Sequence, residues 1–61
     1  MISVEECCHL LTLNLVSEFY VPESYLSVPE LYDLLRTYNW MVFASEVVGW
    51  VCVRRRIVYQ D

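Results

Sequence analysis

The chain has 61 residues, room for one domain, and 57% of them are apolar. A domain this short buries only about 60% of the surface its unfolded chain exposes, while its apolar share exceeds the roughly 45–50% usual in globular domains. Four cations against eight acids give a formal charge of −4, which disfavours phosphate-rich partners, and a single glycine excludes a glycine-rich phosphate loop.

Ser3 followed by Glu6 is a capping-box pattern, in which each side chain satisfies a free backbone N–H of a first helical turn. Behind it Val4, Cys7, Cys8, Leu11, Leu15 and Phe19 recur at helical spacing, which predicts a helix over 3–20. Leu10, Leu13, Val16 and Tyr20 fall outside that stripe. A helix apolar over most of its circumference packs on more than one side, and in so small a protein the second side points to another chain. Pro22 ends the segment by biasing Val21 towards extended geometry.

Ser27 and Glu30 form a second capping-box pattern, and Pro29 in a first turn costs no hydrogen bond. Val28, Leu31, Tyr32, Leu35, Tyr38 and Val42 continue the period, so a second helix is expected over 28–39. From Trp40 to Tyr59 the chain turns to valine, isoleucine and aromatic residues, the composition of strands. Strands near 41–44 and 48–59 with a turn at Ser45-Glu46 are expected. A continuous second helix running into Arg54, Arg55 and Arg56 is the alternative, since a helix C-terminus favours cations.

The fold expected is therefore α+β: two antiparallel helices on a small C-terminal β element, its core completed by dimerisation. The alternative is an all-α dimer with a long second helix. Cys7, Cys8 and Cys52 are an odd set with an adjacent pair, unlike a disulfide framework. Residues 1–9 carry Glu5 and Glu6 but no Lys or Arg, unlike a secretory leader. Free thiols in a reducing, cytoplasmic setting are expected.

No catalytic, cofactor or metal site is expected. Adjacent helical residues point about 100° apart, so Cys7, Cys8 and His9 cannot all face one ion, and Cys7 and His9 diverge too far to share a proton. Glu5-Glu6 complement the positive end of the helix dipole. The stretch Trp40–Val53, followed by three arginines, has the look of a short membrane span. Its fourteen residues would rise only about 21 Å as a helix against a core of about 30 Å, with Glu46 near the middle.

The order helix, turn, helix, β-like segment and the basic run Arg54-Arg55-Arg56 resemble a winged helix-turn-helix over about half of the chain. That resemblance implies duplex DNA binding through the arginines. The segment that would be its recognition helix, Trp40–Gly49, has no Arg, Lys, Gln or Asn to read bases. Nine aromatic residues are more than this interior can hold, and Tyr and Trp are enriched at interface hot spots. The function expected is therefore a non-enzymatic interaction module, an accessory or regulatory subunit that forms a homodimer and binds a larger protein. Its contact residues are expected to be Leu10, Leu13, Val16, Tyr20, Trp40, Trp50, Arg54, Arg55 and Arg56. DNA binding and membrane association are the alternatives.

Overall fold

The computed structural model describes residues 2–56. It is α+β, with two helices and a three-stranded antiparallel sheet. Helix α1 spans Val4–Thr12 and begins at the expected Ser3 cap, where the Glu6 amide donates to Ser3 Oγ at 3.1 Å, the Ser3 half of the capping box. It stops well short of residue 20. The Leu13 amide closes the last turn on the His9 carbonyl at 2.9 Å, and Leu15, expected on the core face, is 77% exposed.

What continues is strand β1, Glu18–Pro22, whose Phe19 and Val21 point inward. Its residues fit helical spacing and strand alternation equally well, and pairing with a distant strand decides between the two. Pro22 leads into a 3-10 helix, Glu23–Ser27, tied to the start of the chain by the Tyr25 hydroxyl donating to the Ile2 carbonyl at 2.8 Å. Helix α2 follows at Pro29–Thr37. Its cap is Val28, with no side-chain hydrogen bond, so the expected Ser27–Glu30 box does not form; Ser27 is held in the preceding 3-10 helix. Asn39, at φ 59°, turns the chain out of α2. Asparagine tolerates that left-handed conformation better than most residues.

The C-terminal segment is a hairpin, which excludes the long second helix. Strand β2 is Trp40–Ala44 and β3 is Trp50–Arg55, joined through Gly49 at φ 87°. The strand order is β1-β3-β2, so β3 lies between two partners distant from one another in the chain.

Helices α1 and α2 cover one face of this sheet. Cys7, Leu11, Val21, Leu31, Leu35, Trp40, Val51 and Val53 form the core. Trp40 edges onto Phe19, ring centroids 5.5 Å apart at 78°. Carbonyls at a helix C-terminus have no partner within the helix. Here the sheet supplies the donors: Trp40 Nε1 reaches the Leu11 carbonyl at 2.9 Å, and Arg55 Nη2 reaches that of Leu13 at 2.7 Å.

Candidate interaction surface

Side chains alternate across a strand, so the other face of the sheet follows from the register. Tyr20, Cys52 and Phe43 stand side by side across the three strands; Glu18, Arg54 and Met41 form the next row, and Pro22 faces Trp50. Among the described residues no element covers this face. Tyr20 is 55% exposed, Met41 46% and Phe43 36%. Cys52 lies at its centre and is buried by its neighbours, not by the helices; its Sγ is 3.8 Å from Glu18 Oε2. An ion pair borders the patch, Arg54 Nε to Glu18 Oε2 at 3.1 Å, and the Arg54 guanidinium lies 4.8 Å over the Phe43 ring. The patch is thus aromatic and close to neutral in a chain of net charge −4.

Strand β2 runs past the helices. Val42 points to the helical side of the sheet yet remains exposed, as do Val47 and Val48 at the hairpin tip. The tip itself is ordered: the Val47 amide donates to Ser45 Oγ, and the Gly49 carbonyl accepts from the Glu23 amide at 2.8 Å.

The residues expected to make contacts are scattered. Tyr20, Trp50 and Arg54 meet on the outer face, Trp50 half-buried. Trp40 is in the core, a correction to its expected surface role, because the indole is needed to close α1. Arg55 is half-buried, 4.7 Å over the Trp40 ring, and Arg56 is exposed, its amide bonded to the Asn39 carbonyl. Leu10 is half-buried on α1, Leu13 is exposed just after it, and Val16 packs against the core. Met41, Phe43 and Cys52 were missed. The signal for Met41 and Phe43 lies in Trp40–Ala44 and that for Cys52 in residues 50–53, both apolar at both strand parities, which predicts contact on both faces.

A groove between α1 and α2 is lined by Glu5, Cys8, His9 and Glu30. Burial pushes the Cys8 thiol up, and the Glu30 and Glu5 carboxylates push it further. Burial raises Cys7 to about 11, with Cys8 and Glu6 adding to the effect. Both thiols are protonated at neutral pH, whereas a reactive cysteine needs a thiolate. Among the described residues no group of three His, Cys, Asp or Glu side chains could hold a metal ion.

The segment Trp40–Gly49 is β2 and the tip, not a recognition helix. In a winged arrangement α2 would take that place, and its exposed side carries Glu30 and Asp33 beside Arg36. The arginine run lies at the opposite end of β3 from the hairpin tip, where Glu46 is found. Among the described residues no helix is long and apolar enough to cross a membrane.

Scanned against protein-family models, the chain matches none. No curated protein matches it. No solved structure does either.

Proposed function

We propose that the chain is a non-catalytic interaction module, an accessory or regulatory subunit of the reducing cytoplasm that acts as a homodimer and binds a larger protein. The observation that carries this reading is the uncovered outer face, where Tyr20, Phe43, Met41 and Trp50 surround Cys52. Contiguous apolar patches of this kind on a small domain mark protein contact, and aromatic anchors supply most of the energy at such interfaces. Nucleic acid fits less well. Of the three arginines, Arg54 is paired with Glu18 and Arg55 is bonded to the Leu13 carbonyl, while the exposed side of α2 brings carboxylates. Phosphate binding needs several accessible cations.

The test is affinity capture from cells that express the chain, with wild type, Tyr20→Glu and Trp50→Glu side by side. A larger protein retained by wild type and lost in both variants, with circular dichroism unchanged, supports the reading. Equal retention by all three overturns it. Duplex DNA binding that weakens steeply with salt and disappears in Arg54→Ala/Arg55→Ala/Arg56→Ala would replace it with the winged-helix alternative.

A further inference from the structure

The two edges of the sheet differ in how far their backbone groups are left open. The Arg56 amide bonds to the Asn39 carbonyl, which makes that opposing pair hydrogen-bonded. In an antiparallel ladder such pairs alternate with non-bonded ones. Met41 and Phe43 therefore direct their backbone groups at β3, while Trp40, Val42 and Ala44 direct theirs away from it, along the open edge. Among the described residues nothing accepts from or donates to those groups. No residue of β2 is charged and none is proline. Natural edges are usually blunted by charges or proline. The other edge is: β1 carries Glu18 and ends in Pro22, which has no N–H to offer.

We propose that β2 is the dimerisation element, pairing antiparallel with β2 of a second copy about a two-fold axis at Val42. This rests on the homodimer reading above and gives it a surface. A one-residue slip would set outward-directed amides against inward-directed ones, so the register is restricted to pairs among Trp40, Val42 and Ala44. Centring on Val42 engages all three, Val42 with its own copy and Trp40 with the partner's Ala44. On the outer face Met41 then stands opposite the partner's Phe43, a favourable sulfur–aromatic contact. On the helical side the half-exposed Val42 meets its counterpart. Because the strand is uncharged, two acidic chains approach where their repulsion is weakest. The two outer faces become one continuous aromatic surface for the larger partner. An edge of five residues is smaller than the ~800 Å² per partner of a standard interface, so the dimer is of modest affinity and concentration-dependent.

The experiment uses the full chain made by chemical synthesis, with and without N-methylation of the Val42 amide. Sedimentation equilibrium is expected to show a reversible monomer–dimer equilibrium in wild type, weakened at least about tenfold by the methyl group. The far-ultraviolet dichroism and melting midpoint of the monomer should not change, since that amide makes no bond among the described residues. Val42→Lys should weaken the dimer likewise. Hydrogen exchange provides a second readout: Val42 protection should rise with protein concentration while Phe43 protection stays constant. A monomer at every concentration, a dimer indifferent to both changes, or Val42 protection that is independent of concentration and vanishes on removing residues 57–61 would each overturn the proposal. Should it fall while Tyr20→Glu still abolishes capture of the larger protein, the interaction reading stands. Pairing at β2 with capture unaffected by Tyr20→Glu is the reverse.

Discussion

The two faces of β3 are built from the same stretch of chain and meet opposite fates. Val51 and Val53 point at the helices and are buried, joined there by Val21 and Trp40. Trp50, Cys52 and Arg54 point the other way, among Tyr20, Phe43 and Met41, with no helix above them among the described residues. The inner face is sealed by packing and by hydrogen bonds that reach across it, from Trp40 and Arg55 to the end of α1. The outer face is equally apolar at its centre and carries the Arg54–Glu18 salt bridge at its border. On the reading proposed above, stability and association are divided between the two sides of one sheet, and substitutions should separate them.

The largest effect is expected at Leu35, 3% exposed on the inner side. Leu35→Asp leaves an uncompensated buried charge, at a cost of about 3–5 kcal/mol. That is comparable to the whole stability of a domain this size, roughly 3–5 kcal/mol. Loss of the cooperative thermal transition is the expected outcome, and a wild-type melt would break the assignment of the core. Trp40→Phe removes the donor to the Leu11 carbonyl together with one ring of the buried indole, so a small cavity adds to the loss. An orphaned acceptor costs about 1–3 kcal/mol, to be read from urea denaturation.

Cys7 sharpens the comparison through pH. Its folded thiol is raised from 9.0 to about 11 by burial, so the folded state favours the protonated form. The contribution is complete below pH 9.0 and is lost as pH rises towards about 11, because the unfolded chain ionises first. Cys7→Ala should flatten the decline of stability in that window, and an unchanged slope would show that the thiol is not sequestered. The smallest effects belong to residues outside the inner face. Tyr20→Ser and Leu15→Asp should each shift unfolding by no more than about 0.5–1 kcal/mol. In Tyr20→Ser, binding of a hydrophobic dye should fall nonetheless; an unfolding shift as large as that of Trp40→Phe would mean that the outer face also belongs to the core.

The start of α1 could be read from Ser3 and Glu6, and the hairpin from the valines and aromatics after Trp40, because capping and strand composition are local signals. The helix expected as far as residue 20 failed for a non-local reason. Leu11, Leu15 and Phe19 keep helical spacing, but Phe19 and Val21 are also two apart, and the strand they form pairs Glu18–Pro22 with Arg54–Trp50 at the far end of the chain. Periodicity within a window holds no information about such a partner. The same limit hid the site. Tyr20, Trp50 and Arg54 could be singled out by residue type, but the sheet register alone places Met41, Phe43 and Cys52 beside them. Trp40 misled in the other direction: its surface role was argued from aromatic surplus, whereas its indole N–H completes the end of a helix.

The strand order has a consequence for synthesis. β1 and β2 share a side-chain contact, Phe19 on Trp40, but no backbone pairing; in the sheet each is hydrogen-bonded to β3, the latest of the three to be made. A growing chain therefore carries two apolar ribbons with no sheet to join until β3 has been made, and such unpaired strands are prone to clump. A stop codon before residue 50 would not trim the margin of this fold. It would delete the seam along which both halves of the sheet are stitched.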